Sequence, residues 1–160
     1  MAFLNASDIV DLAMQVEKNG ESYYRAVAKE AQSAETRALF EDLAEQEVKH
    51  HATFSKLAQS VREKPLMTDE EWDSYLKYLN ATVQSSFFEG PDKALVAARK
   101  VKDEKEAVRM AMAFEKETLL FFYDLRDAIQ GPQRSLVEKI VAEEKSHIQR
   151  LANVLLAEKA

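Results

Sequence analysis

Apolar residues recur every three or four positions along four stretches of the chain, which is the spacing of an amphipathic α-helix. Turn-forming sequences separate these stretches, at Gln32-Ser33-Ala34, Pro65, Gly90-Pro91 and Gly131-Pro132. Ser33 and Asp103 stand where a side-chain oxygen can cap the second and the third stretch. The pattern therefore predicts four long helices, over about residues 7–31, 34–62, 103–130 and 133–160.

The second and third long helices are joined by an unusually long connection, over about residues 63–102. It contains Trp72, Tyr75 and Tyr78, which we expect to pack against the bundle or, alternatively, to form a dimer contact. Short helices are predicted over 69–79 and 92–100, and the second of these can run on into the third long helix because no breaker separates them. A crossover of this length lets the second and third long helices lie parallel.

Two helical hairpins joined by one long crossover have the topology of a ferritin-like four-helix bundle. We therefore predict an all-α fold with a single domain over residues 1–160. The composition agrees, since only 3 Gly and 3 Pro are too few for the turns of a hairpin-rich β fold. The absence of Cys excludes disulfides, thiolate catalysis, Cys-bound zinc and iron–sulfur clusters from these residues.

The charge and the hydropathy narrow the classes of partner. A net charge of −6 argues against a nucleic-acid partner bound through a basic face. The apolar runs fall short of the roughly 20 residues that a membrane span needs, and the N-terminal segment lacks the basic start of a signal peptide. We therefore expect a cytoplasmic protein that binds neither nucleic acid nor a membrane.

Ionisable residues interrupt the apolar face of every long helix near its middle. Continuing the apolar spacing through each helix leads to Glu17 in the first, Glu47 and His50 in the second, Glu115 in the third, and Glu144 and His147 in the fourth. Glu and His three residues apart project from one face of a helix. A buried carboxylate costs several kcal/mol unless it is paired or neutralised. Two divalent cations would balance four such carboxylates, which predicts a two-metal site.

Some of these residues also have an alternative assignment. The Glu–His pairs could be surface pairs on ordinary amphipathic helices, and Glu21 is a rival to Glu17. An internal repeat favours the metal site, because Glu17 and Glu115 lie 98 residues apart, and the two Glu-x-x-His pairs lie 97 apart. Each half of the chain thus supplies one Glu and one Glu-x-x-His, as a pseudo-two-fold site requires.

Four segments resemble the rubrerythrin branch of the ferritin-like superfamily: EKNGESYY (17–24), LAEQEVKHHATF (43–54), AMAFEKETLLFFYDL (111–125) and VAEEKSHIQRL (141–151). The resemblance implies that Glu17 and Glu115 are terminal ligands, that Glu47 and Glu144 bridge two metals, and that His50 and His147 each complete one metal. It also implies that Tyr24 and Tyr123 are hydrogen-bond donors beside the site, although both can equally be core residues with satisfied hydroxyls.

The resemblance further implies two iron ions, with manganese or zinc as alternatives, since one imidazole per metal among carboxylates suits iron or manganese. The expected function is oxidation of Fe(II) by hydrogen peroxide or O2, as a ferroxidase or peroxide reductase. Iron storage and a non-redox metal-binding bundle are the alternatives. We also expect a homodimer and, because Cys is absent, an external electron-donor protein in place of a rubredoxin-like relay.

One departure from the family bears on the chemistry. Rubrerythrins usually carry a second Glu one turn beyond the ligand of the third long helix, and Thr118 stands there in this sequence.

Removing a buried acid, as in Glu144→Ala, is expected to abolish metal loading and to stabilise the metal-free bundle by relieving repulsion.

Overall fold

The computed structural model describes residues 6–60, 70, 74, 90–129 and 131–157. Within these ranges it contains α-helices and one 3₁₀ turn and no β-strand, so the all-α prediction is confirmed. The α-helices are α1 (Ala6–Glu30), α2 (Ala34–Ser60), α3 (Pro91–Lys100), α4 (Glu104–Ala128) and α5 (Arg134–Ala157), and the 3₁₀ turn is Gly131–Gln133. Among the described residues, no helix combines the length and the apolar character that crossing a membrane requires.

The predicted caps form at both positions. The Thr36 backbone N–H donates to Ser33 Oγ at 3.0 Å and starts α2. At α4, the Glu106 backbone N–H donates to Asp103 Oδ1 at 2.7 Å, while the Glu106 side chain accepts from the Lys102 backbone N–H at 2.6 Å. These reciprocal bonds resemble a capping box and define where α4 begins.

The crossover was predicted only in part. Its second short helix exists as α3, with Pro91 in the first turn after Gly90, whose φ of +116° favours glycine. The expectation that this helix could continue into the third long helix is wrong, because Val101 is extended (φ −66°, ψ 137°) and Asp103 caps a new helix. The predicted helix over 69–79 and the aromatic residues Trp72, Tyr75 and Tyr78 lie outside the described residues.

Short connections make α1 and α2 one antiparallel hairpin, and α4 and α5 the other. The hairpins meet with α1 antiparallel to α4, since Tyr23 near the end of α1 donates to the Ala107 carbonyl near the start of α4, at 3.0 Å. Because α2 also runs opposite to α1, α2 and α4 are parallel, as predicted. Consistent with this, Phe54 and Phe122, both in the C-terminal halves of their helices, have ring centroids 5.0 Å apart.

The core consists of apolar layers on either side of the middle of the bundle. On one side Tyr24 packs on Phe40 and Phe114, with ring centroids 5.8 and 6.1 Å apart. On the other side the Phe54–Phe122 pair fills the interior. Each long helix places buried apolar residues in both layers, so whatever lies between them is shielded from water.

Candidate metal centre

The six ionisable residues predicted from the interrupted apolar faces lie together between the two apolar layers. All six are buried, with at most 3% of the residue exposed: Glu17, Glu47, His50, Glu115, Glu144 and His147. The rival Glu21 lies elsewhere, half-buried and paired with Lys18 and Arg25 at 2.7 and 2.8 Å. The helical period of the apolar faces explains the convergence, because each residue occupies a core-facing position of its helix.

The cluster divides into two overlapping groups of four. One contains Glu17, Glu47, His50 and Glu144, and the other contains Glu47, Glu115, Glu144 and His147. In each group one donor atom per residue lies within 4.8 Å of the others. Glu47 and Glu144 belong to both groups, so these two carboxylates lie where they could bridge two cations.

Both imidazoles turn the same ring nitrogen to the centre. His50 Nδ1 lies 2.9 Å from Glu144 Oε1 and 3.4 Å from Glu17 Oε2. His147 Nδ1 lies 2.9 Å from Glu144 Oε2 and 3.3 Å from Glu115 Oε1. The rings are stacked, with centroids 5.6 Å apart and an angle of 22° between their planes. Glu144 therefore holds one imidazole on each of its two oxygens.

The carboxylates are electrostatically unequal. Burial and repulsion by the other acids raise the pKa of Glu17 and Glu47 well above the usual range, and burial followed by repulsion from Glu144 raises the pKa of Glu115 to about 8. Burial would raise the pKa of Glu144 too, but the hydrogen bond from His147 and the close contact with the His50 imidazole hold it below the usual value. In the metal-free cluster Glu144 is thus the carboxylate that stays ionised.

The imidazoles respond in the opposite sense. Burial alone would lower the pKa of His50, but the hydrogen bond and the charge of Glu144 raise it to about 9. Glu115 and Glu144 in the same way raise the pKa of His147 to about 10. Protons therefore supply the positive charge of this centre when no metal is bound, and binding a metal would displace them.

A family model of rubrerythrin matches residues 8–155. The chain belongs to the rubrerythrin family. It is also similar to a crystal structure from Thermotoga maritima described as a candidate ferritin-like diiron-carboxylate protein, with 28% identity, a TM-score of 0.68 and coverage of 96% of this chain and 95% of that chain. No protein of curated function matches the chain at a comparable level.

The donor set fits the pair of metals that a rubrerythrin-type fold implies. Several buried oxygens in the cluster accept no hydrogen bond from the described residues: both oxygens of Glu17, one oxygen each of Glu47 and Glu115, and Oε1 of Glu144, which has only the ion-pair contact with His50 Nδ1. Buried acceptors without a donor are costly, and a cation between the carboxylates would satisfy them. Oxygen and imidazole donors without sulfur suit iron or manganese, with zinc also accommodated.

Tyr24 and Tyr123, which the resemblance to rubrerythrins led us to expect beside the centre, have different surroundings. Tyr24 is buried and donates to Glu115 Oε1 at 2.6 Å. Tyr123 is half-buried and, among the described residues, makes no hydrogen bond to the cluster; Arg126 Cζ and Lys145 Nζ lie 4.8 and 5.2 Å from its ring centroid. The expected role of Tyr123 is therefore corrected. It follows Glu115 by eight residues, so it points about 80° away from the ligand, whereas a spacing of seven returns to the same face.

Two contacts at this centre were missed from the sequence. His50 Nε2 lies 2.7 Å from Oε2 of Glu143, whose side chain is 55% exposed and which reads as a surface acid beside Glu144. Gly20 lets α1 approach Glu47, because an added Cβ would lie 2.9 Å from Phe114 Cε1 and 3.2 Å from Glu47 Cδ. The only sequence signal for it is a glycine within a helical apolar stripe.

Thr118 is the position at which this member of the rubrerythrin family lacks the second Glu of α4. It is 1% exposed, and its Oγ1 has no hydrogen-bond partner among the described residues. The repeat pairs it with Gly20, 98 residues earlier. At this pair of repeat-related positions, Gly20 and Thr118, the sequence therefore offers no seventh carboxylate.

Proposed function

We propose that this protein is a di-iron oxidoreductase of rubrerythrin type, which oxidises Fe(II) with hydrogen peroxide or O2. The observation that carries the proposal is the pair of overlapping four-residue groups, buried and sharing two carboxylates. Family membership and the similar ferritin-like structure support the same assignment. Two irons would supply the two electrons that reduction of peroxide to water requires.

The six residues take distinct roles in the proposal. Glu17 with His50, and Glu115 with His147, would each hold one iron, and Glu47 and Glu144, which belong to both groups, would be shared between the two irons. The Tyr24 hydroxyl orients Glu115 through its 2.6 Å hydrogen bond. The apolar layers on either side exclude bulk water, so the charge of the carboxylates acts on the bound ions with little screening.

The proposal extends to the surroundings of the centre. Because the 160 residues contain no Cys, we propose that a separate electron-donor protein returns the iron to Fe(II) between turnovers. We also propose a homodimer that works in the cytoplasm. Light scattering of the purified protein tests the dimer, and a tetrameric or larger particle would contradict it.

Metal content is the first test. Protein prepared anaerobically with excess Fe(II) and then desalted should hold about two irons per chain by elemental analysis. Glu115→Ala should lose at least one of them. Glu45→Gln, an exposed acid on α2, is the matched control and should hold two. An iron content near zero, with a melting temperature that chelators leave unchanged, would overturn the proposal.

The oxidant is tested by stopped-flow mixing of the Fe(II)-loaded protein with hydrogen peroxide or with O2, followed by a colorimetric assay of the remaining Fe(II). A faster reaction with peroxide indicates a peroxide reductase, and a faster reaction with O2 indicates a ferroxidase. Loaded protein that reacts with neither faster than Fe(II) in buffer would favour a non-redox metal-binding role.

A further inference from the structure

The pseudo-two-fold repeat relates the six cluster residues to one another but does not relate their neighbours. At a spacing of 98 residues Glu17 corresponds to Glu115, but Tyr24 corresponds to Phe122. At a spacing of 97 the two Glu-x-x-His pairs correspond, but the acid Glu143 corresponds to the neutral Gln46. The two halves therefore offer the same donor types in different settings.

The half at His50 is arranged to bind a cation strongly. Its outer nitrogen, Nε2, is 2.7 Å from the Glu143 carboxylate, which leaves Nδ1 directed to the centre. A carboxylate that accepts from the outer nitrogen fixes the ring orientation and increases the basicity of the inner nitrogen. The terminal carboxylate of this half, Glu17, accepts no hydrogen bond from the described residues on either oxygen, so both oxygens remain available to a metal.

The half at His147 lacks both advantages. The ion pairs of His147 within the described parts of the chain all use Nδ1, and the residue equivalent to Glu143 is neutral, half-buried Gln46. Its terminal carboxylate, Glu115, already accepts a hydrogen bond from Tyr24 on Oε1, the oxygen nearer to His147 Nδ1. That bond withdraws negative charge from the Glu115 carboxylate and leaves Oε2 as its one oxygen without a donor among the described residues.

We propose that the two metal positions are unequal, so that a divalent cation binds first and more tightly at Glu17 and His50, and the position at Glu115 and His147 is the exchangeable one. Glu143 is then a positioning residue that acts through His50. This inference rests on the proposed function only in requiring that the centre binds two metals. The tightly bound ion would lie at Glu17 and His50, and the ion that exchanges with solution would lie at Glu115 and His147.

The test is an anaerobic calorimetric titration of the metal-free protein with Co(II). The wild-type protein should show two binding steps whose dissociation constants differ by roughly tenfold or more. Glu143→Gln should raise the dissociation constant of the first step. The increase should lie at the lower end of the roughly 10- to 100-fold range that is typical of contacts to a metal ligand, because the Glu143 side chain is half exposed. Gln46→Glu is the reciprocal variant and should strengthen the second step. Glu143→Asp should restore the separation.

The location of the first ion needs a spectroscopic readout. At one equivalent of Co(II), proton NMR should show one paramagnetically shifted exchangeable imidazole resonance, from the Nε2–H of His50 that Glu143 protects. It should broaden in Glu143→Gln through faster exchange with water. A first resonance that is insensitive to Glu143 would place the first ion at His147 and overturn the proposal.

The two hypotheses fail differently. If no Co(II) binds, both the proposed metal centre and this inference are wrong. If two ions bind with equal constants, or if Glu143→Gln and Gln46→Glu each leave both constants within about twofold, the metal centre stands and only the inference fails. Unchanged melting temperatures of the two metal-free variants would show that any shift in binding does not come from unfolding.

Discussion

Glu144 and Glu17 are both buried carboxylates of the centre, yet we expect a large loss of stability in the metal-free protein when glutamine replaces Glu144 and almost none when it replaces Glu17. Both imidazoles lie 2.9 Å from Glu144, His147 through a hydrogen bond to Oε2 and His50 through an ion pair with Oε1, and the pKa of Glu144 lies below the usual value. Among the described residues Glu17 has no donor on either oxygen, and burial with repulsion by the neighbouring acids raises its pKa well above the usual value, which favours its neutral form.

The magnitudes follow from these partners. Removing one member of a buried ion pair costs about 3–5 kcal/mol, and the amide oxygen of Glu144→Gln can still accept one hydrogen bond, so we expect a loss of about 3 kcal/mol. Glu17→Gln replaces an acid whose neutral form is favoured by a neutral amide of the same shape, and the free energy of unfolding should change by less than about 1 kcal/mol. The sequence-based expectation that Glu144→Ala stabilises the metal-free bundle is therefore reversed by the geometry.

The assay is urea unfolding at pH 7 with a chelator present, followed by far-ultraviolet circular dichroism. With a slope near 2 kcal/mol per M, Glu144→Gln should lower the midpoint by about 1.5 M, and Glu17→Gln should leave it nearly unchanged. Glu45→Gln, exposed on α2, serves as the surface control. Equal losses in Glu17→Gln and Glu144→Gln would refute the argument that one carboxylate carries both imidazoles.

Three further predictions concern the contacts around the centre. Gly20→Ala should stabilise α1 by about 1 kcal/mol through helix propensity and destabilise the fold by about 1–3 kcal/mol through overpacking. Because the added methyl group displaces Glu47, the variant should also bind Co(II) more weakly in calorimetry. Tyr24→Phe should destabilise the metal-free protein by about 1–2 kcal/mol in urea, because Glu115 loses a buried donor, and should still bind two metals. Glu104 accepts hydrogen bonds from two backbone N–H groups of the α1–α2 turn. Burial would raise the pKa of Glu104, but these bonds lower it from 4.5. The bonds therefore stabilise the fold fully above pH 4.5, and this stabilisation is lost as the pH falls through the folded-state pKa. Glu104→Gln should therefore unfold about 0.5 kcal/mol more easily at pH 7, a small loss because solvent screens this carboxylate, and the difference from wild type should vanish in acid.

The sequence predicted those features that a single helix can encode. The apolar period identified the long helices, and the same period predicted that Glu17, Glu47, Glu115 and Glu144 face inward. A cap such as Asp103 depends on neighbouring residues only, so it too was predicted.

Features that depend on contacts between helices were not predicted. The partnership of His50 with Glu143 joins α2 to α5, and the local sequence marks Glu143 only as an exposed acid. Tyr123 was misplaced because an aromatic run beside the correct position, Phe122, resembles the Tyr23-Tyr24 pair of the first half. Which carboxylate stays ionised also depends on which oxygens the imidazoles reach, and only the assembled bundle determines that.

The convergence of all four long helices on one centre has a consequence for the lifetime of the folded state. A cation held by Glu17 and Glu144 would close a loop of more than a hundred residues, and a cross-link of that span restricts the unfolded chain by about 4–5 kcal/mol in the chain-entropy account. In a chain without Cys, metal ligation would then act as a reversible staple between the two hairpins. The hairpins could separate fully only after an ion departs, so the rate of metal release, rather than the strength of the apolar layers, would set how long the loaded protein resists proteolysis.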